Sequence, residues 1–290
     1  QRDTVVVFVN PLPVVDAGLD SSICFYGDSI IIGGLPTASG AGPPFIYAWD
    51  QPGVLDDNSI DNPAFTPPAP GTTQFIVTVT DINSCVQRDT VNITVNALPV
   101  VNAGSDASIC FGDSTAIGGS PTATGTPPFT YLWTPDGELN DSIIENPVFT
   151  PVVPGTTLFV VTVTDSNGCI QSDTVNVTTF DSIVAFVFES SPSSCSDSNG
   201  VITINSVSGG LPPYEFSIDG FTFNSDTIFN SLAPGIYTAY IRDSLGCTNN
   251  YNVAVTDPDS ISPAFLINAV RCNGGNDGSI ILANISGGGT

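Results

Sequence analysis

Seven cysteines, at positions 24, 85, 110, 169, 195, 247 and 272, are the residues of this sequence best equipped for chemistry. Thiols can hold a metal, attack a substrate or oxidise in pairs. A metal site needs close-spaced ligands such as C-x-x-C, usually with histidine, and the sequence has neither that spacing nor a single His. Nucleophilic attack needs an adjacent base. His and Lys are both absent and the only basic side chains are Arg2, Arg88, Arg242 and Arg271, so the usual nucleophile–base pairs cannot be assembled. Oxidation in pairs is the chemistry left, and regular disulfides imply an oxidising, exported location.

The carboxylates come next. The 28 acidic residues give a formal net charge of −24, a surface that repels nucleic acid and anionic lipid. Most are Asp, which favours turns and strand ends where Glu favours helices. The acidic turns at Asp81, Asp165 and Asp56, Asp57 and Asp61 have the oxygen ligands for Ca²⁺, the one candidate cofactor. The sequence lacks an EF-hand loop and an RTX nonapeptide, so ordinary solvated turns are the competing reading. No carboxylate pair stands out for glycoside cleavage, and the chain reads as non-enzymatic. Trp49 and Trp133 lie between apolar neighbours at matched positions, which predicts core residues rather than sugar-stacking platforms.

The elements that must position these groups are legible as repeats. Asn10-Pro-Leu-Pro-Val-Val-Asp-Ala-Gly18 returns as Asn96-Ala-Leu-Pro-Val-Val-Asn-Ala-Gly104, and Tyr47-Ala-Trp49 as Tyr131-Leu-Trp133. Asn62-Pro-Ala-Phe-Thr-Pro67 returns as Asn146-Pro-Val-Phe-Thr-Pro151, and Val77-Thr-Val-Thr-Asp81 as Val161-Thr-Val-Thr-Asp165. Two homologous domains therefore cover residues 11–96 and 97–180. A second repeat type covers 181–258, with Gly200-Val-Ile-Thr-Ile-Asn205, Leu232-Ala-Pro-Gly-Ile-Tyr237 and Asp243-Ser-Leu-Gly-Cys247. Its opening recurs at Arg271-Cys272 and Gly278-Ser-Ile-Ile-Leu282, making residues 259–290 the first part of a further copy. Runs such as Gln74–Thr80 and Thr90–Val95 alternate apolar and polar residues between turn signals. The predicted fold class is all-β: tandem immunoglobulin-like antiparallel sandwiches, strung as beads in a rod.

Repetition also suggests how the cysteines pair. Placed within each repeat, they give Cys24–Cys85, Cys110–Cys169 and Cys195–Cys247, with Cys272 awaiting a partner outside this sequence. Each pair would join an early strand to the turn before the last strand. At the other end, Gln1-Arg-Asp-Thr-Val5 matches Gln87-Arg-Asp-Thr-Val91, so residues 1–10 read as the closing strand of a preceding repeat. An orphan strand exposes unpaired backbone groups. Strand addition through residues 1–9, to a neighbouring repeat or to another copy of the chain, is the expected partnership.

Residues 15–24, Tyr47-Ala-Trp49 and Val77–Asp81, with their copies, resemble the PKD-like immunoglobulin-type domains of large exported Bacteroidota proteins. From Cys195 through Cys247, and from Cys272 onward, the chain resembles the SprB-type repeat of gliding and surface adhesins. These resemblances imply export by type IX secretion, display at the cell surface, and adhesion or appendage building. They imply a structural repeat region of an extracellular filament, with a cell-surface adhesin stalk that binds glycans as the alternative. Asp followed by Ser or Thr and then an aliphatic residue or Thr recurs at Thr4, Ser29, Thr90, Ser114, Ser142, Thr174, Ser182, Thr227, Ser244 and Ser260. Composition alone would give roughly two such triplets. The triplet resembles the O-glycosylation motif of exported Bacteroidota proteins; the other reading is a strand start that the repeats copy.

Overall fold

The computed structural model describes residues 2–40, 42–190, 198–256, 262–271 and 275–286. Its residues fall into two compact units. One comprises Gln1–Ser105, Ala116–Val148 and Leu158–Val175, the other Asp106–Thr115, Phe149–Thr157 and Asn176–Thr290, so the second repeat contributes to both. The described residues are strands, turns and loops without helix, and none forms a helix long and apolar enough to cross a membrane.

In the first repeat the long strands Gly71–Thr80 and Val86–Asn96 form the antiparallel centre of a four-stranded sheet. Their alternation buries one face and wets the other: Phe75, Val77 and Val79 are buried, as are Val91, Ile93 and Val95. Ile46–Trp49 pairs antiparallel along one edge, and Ser21–Cys24 runs parallel to the last strand along the other. Two short ladders, Val14–Val15 with Ala38–Ser39 and Ile30–Ile31 with Ala64–Phe65, close the opposite side of the core. Trp49 is 3% exposed and its indole N–H donates to the carbonyl of Ile60, as its expected core position requires.

The second repeat follows the same order, with Ala107–Cys110 parallel to Ile170–Phe180 and Thr130–Thr134 antiparallel to Gly155–Thr164. Trp133 is fully buried and donates to Ile144. The third repeat is arranged differently, as two three-stranded sheets. Val184–Ser190, Gly200–Ser208 and Ile228–Leu232 make one; Glu215–Ser217, Gly235–Arg242 and Thr248–Val255 make the other. Their shared core holds Ile183, Ile202, Ile204, Phe216, Ile241 and Val253. Ser262–Asn268 and Ser279–Ser286 form an antiparallel hairpin whose described side chains are exposed. Tandem immunoglobulin-like β-sandwiches are therefore the fold. Residues 2–13 have no strand assignment, and Val5–Val9 are all exposed.

Candidate functional site: cystine junctions between repeats

Strand direction decides where the cysteines lie. Cys24 ends a strand that runs parallel to Val86–Asn96 and sits opposite Asn96, at the far end of the sandwich. Cys85 precedes the same long strand, at its beginning. Eleven residues of strand, about 35 Å, separate the two ends. A disulfide needs Cα atoms within about 7 Å, so Cys24 and Cys85 cannot be bridged inside one sandwich. The same holds for Cys110, opposite Phe180, and Cys169, just before Ile170–Phe180.

The observed bonds join successive repeats instead. Cys24 is bonded to Cys169 with Cα atoms 5.5 Å apart, and Cys110 to Cys247 at 5.6 Å. This corrects the expected pairs Cys24–Cys85 and Cys110–Cys169, and it removes Cys247 from Cys195. The early cysteine of one repeat meets the late cysteine of the next. Cys85 is a free, half-buried thiol. Cys195 and Cys272 lie outside the described residues. The bridges enclose sequence separations of 145 and 137 residues. In the chain-entropy view loops of this size stabilise by about 5 kcal/mol each, less native strain.

Each late cysteine is set by an aspartate four residues before it. Asp81 Oδ1 accepts from the backbone N–H groups of Asn83 and Cys85, both at 2.8 Å. Asp165 does the same for Asn167 and Cys169, and Asp243 for Leu245 and Cys247. All three carboxylates are buried. A buried carboxylate is tolerated because these charge-assisted bonds replace its water. The second oxygen of Asp243 accepts from Leu211 N–H at 2.7 Å, whereas those of Asp81 and Asp165 are buried without a hydrogen-bond partner. Gly42 packs so tightly on Asp81 that a Cβ there would lie 2.6 Å from Oδ2, and its φ of +108° suits glycine alone. The sequence signal for this turn is D-x-x-[Ser or Gly]-C at 81–85, 165–169 and 243–247, whose fourth residue, Ser84, Gly168 or Gly246, has positive φ. Asp20 and Asp106 also stand four residues before a cysteine, but with Ile in the fourth place, and they accept from Asn92 and Asn176 N–H instead.

The first junction has one further clamp. The Tyr26 hydroxyl accepts from Ile170 N–H at 2.8 Å and donates to Ile170 carbonyl at 3.2 Å. At the second junction Cys110 packs against the third repeat's core, and a cleft of about 360 Å³ lies beside the cystine.

The remaining predicted site residues are dispersed. Asp81 and Asp165 each order their own turn. Asp56 Oδ1 accepts from Asp57 and Ala64 N–H groups, Asp57 from Ser59, and Asp61 from Asn62. Hydrogen bonds from Ser59 hold the Asp57 carboxyl below its ordinary value. Among the described residues no group of three or more His, Cys, Asp or Glu is placed to hold a metal. Of the ten triplet hydroxyls, Thr4, Ser29, Thr90, Ser114, Thr174, Ser182, Thr227 and Ser244 are exposed, Ser142 is half-buried, and Ser260 lies outside the described residues. Ser29, Ser114 and Ser244 already hydrogen-bond to Thr66, Thr150 and the Leu211 carbonyl. The aspartates preceding Thr90 and Thr174 have structural work: Asp89 accepts from Ala17 N–H and Asp173 from Ala103 N–H.

Comparison with known proteins gives a class by parts. Residues 187–223 match the SprB repeat family. No curated protein matches the chain. Among solved structures, the chain is similar to the N-terminal eight immunoglobulin domains of DSCAM, with 13% identity over 84% of this chain and 42% of that one, at a TM-score of 0.42. It is similar to the I67–I69 I-band fragment of titin, with 10% identity over 86% of this chain and 99% of that one, at a TM-score of 0.47. A third is extracellular domains 3–5 of Drosophila OTK, with 12% identity over 83% of this chain and 95% of that one, at 0.33. The SprB match, the immunoglobulin-like repeats and the disulfides point to a surface-associated repeat protein of structural or adhesin-like type.

Proposed function

We propose that this chain is a structural repeat region of an extracellular filament or surface appendage of a Bacteroidota-like bacterium, exported by type IX secretion and without catalytic activity. One observation carries the reading: successive repeats are covalently tied through Cys24–Cys169 and Cys110–Cys247. Such ties between neighbours restrain successive repeats against being pulled apart, as the repeats of a fibre under tension require more than those of an isolated ligand-binding module. Strand addition through residues 1–9 supplies the end-to-end contact, and glycans on the exposed triplet hydroxyls would shield the sheet edges. Immunogold labelling of intact cells tests it. Regular fibres labelled along their length are expected, and label confined to the cell interior would refute it. The intact mass of the native chain tests the glycans, since a mass equal to the bare polypeptide excludes them.

The adhesin reading draws on the third repeat. Phe186 and Phe188 are exposed with ring centroids 5.5 Å apart, and Phe221 is 91% exposed. Aromatic faces of this kind stack on sugars. Saturable glycan binding that is lost in Phe221→Ala would favour it over the filament.

A further inference from the structure

Cys85 breaks a pattern that the other described cysteines keep. The late cysteine of the second repeat is bonded to the early cysteine of the first, and the late cysteine of the third to the early cysteine of the second. Cys85 is the late cysteine of the first repeat and is free. Its turn is nonetheless built like the bonded ones, with Asp81 holding Cys85 N–H at 2.8 Å as Asp165 holds Cys169 N–H at 2.9 Å. Beside it the apolar side chains of Ile82 and Val86 are exposed, 66% and 47%.

The approach to this turn is also repeated. Asn96, opposite Cys24, lies four residues before the Val100–Val101 strand, and Phe180, opposite Cys110, lies four residues before Val184–Ser190. Asn10 lies four residues before Val14–Val15. Residues 1–5 repeat the sequence of 87–91, and the apolar run Val5–Val9 is between 73% and 89% exposed. Residues 1–10 thus enter the first repeat as 87–96 enter the second.

We propose that Cys85 forms a disulfide with the early cysteine of the immunoglobulin-like repeat that residues 1–10 close. That repeat lays its cysteine-bearing strand parallel to residues 7–10, as Ser21–Cys24 lies along Ile93 to Asn96, with the cysteine opposite Asn10, and its sandwich covers Val5–Val9. The proposal rests on the reading above that residues 1–9 complete a neighbouring sheet. Two thiols become one cystine, releasing two protons and two electrons. The electrons pass to the disulfide of an exported thiol oxidant, which is reduced to two thiols by the exchange that must also form Cys24–Cys169.

Non-reducing peptide mapping by mass spectrometry, on the full-length surface protein isolated with its thiols alkylated, tests this. A Cys85 peptide linked to a cysteine N-terminal to Gln1 is expected, alongside the Cys24–Cys169 link. In Cys85→Ser that upstream cysteine should gain one alkyl tag. Cys85 recovered alkylated, linked to Cys24, or linked to another copy of the chain would overturn the proposal, as would no gained tag in the variant. Loss of this link alone, with Cys24–Cys169 intact on labelled surface fibres, leaves the filament reading standing. All cysteines reduced would overturn both.

Discussion

At the first junction a tyrosine accompanies the cystine; at the second there is open space. Cys24-Phe25-Tyr26-Gly27 and Cys110-Phe111-Gly112 differ by one residue, and the extra residue is Tyr26, whose hydroxyl grips Ile170 through both N–H and C=O. The shorter loop leaves the cleft lined by Cys110, Phe111, Asp113, Ile183 and Cys247. The cystine and its aspartate turn are common to both junctions. They make the joint, and the residue after the early cysteine sets how closely it is packed.

Breaking the cystines should have the largest effect. Cys24→Ser and Cys110→Ser each release a loop of similar length, so each should lower stability by up to about 5 kcal/mol in non-reducing denaturant melts. A loss at only one junction would show that the two are not equivalent. Next come the aspartates. Asp165→Ala strips two charge-assisted bonds from its turn and should cost about 2 kcal/mol. Asp243→Ala also orphans Leu211 N–H and should cost about 3 kcal/mol by the same measurement. Equal losses would mean the Leu211 bond contributes nothing.

Smaller changes sharpen the contrast. Tyr26→Phe keeps the ring and loses the clamp, so about 1 kcal/mol should disappear, while deletion of Tyr26 should make the first junction as open as the second. Ser84 adopts φ +63° where the other repeats have Gly168 and Gly246, so Ser84→Gly should stabilise by about 0.5 kcal/mol.

The smallest effects are in pH, and they separate repeats by type. Backbone N–H groups of Thr222 and Phe221, with Ser217, hold the Asp219 carboxyl well below its ordinary 3.8. Its contribution to the third repeat is present above that value and lost as pH falls through the lower folded one. Asp219→Asn should flatten the acid limb of the melting curve. Burial first, and then the charges of Asp61 and Glu145, raise Tyr47 and Tyr131 above their ordinary 10.0. Neutral tyrosine is favoured there, so the first two repeats should weaken as pH rises past 10 towards the higher folded values. Tyr47→Phe and Tyr131→Phe should abolish that alkaline slope.

Much of the fold was legible because alternation and turn residues are local signals. The runs at Gln74–Thr80 and Thr90–Val95 lie inside the observed strands Gly71–Thr80 and Val86–Asn96, and the two tryptophans occupy the cores expected of them. Cysteine pairing was not legible, because spacing carries no strand direction. Had Ser21–Cys24 run antiparallel to Val86–Asn96, Cys24 could have faced the Cys85 end. It runs parallel, so each cysteine looks outward to a different neighbour. The aspartate turns were half legible: their acidity is evident and suggests calcium, while their backbone role needs the Ser or Gly before the cysteine as well as the aspartate, since Asp20 and Asp106 share the four-residue spacing immediately before plain strands.

The two bridges overlap, since residues 110–169 lie inside both loops. A protease that nicks the backbone once, anywhere between Cys24 and Cys247, therefore leaves both fragments tethered through sulfur. The chain is spliced like a rope whose strands outlast each other's ends, and parting its two ends there takes three cuts, one in each of the intervals 24–110, 110–169 and 169–247, or one cut and a reductant.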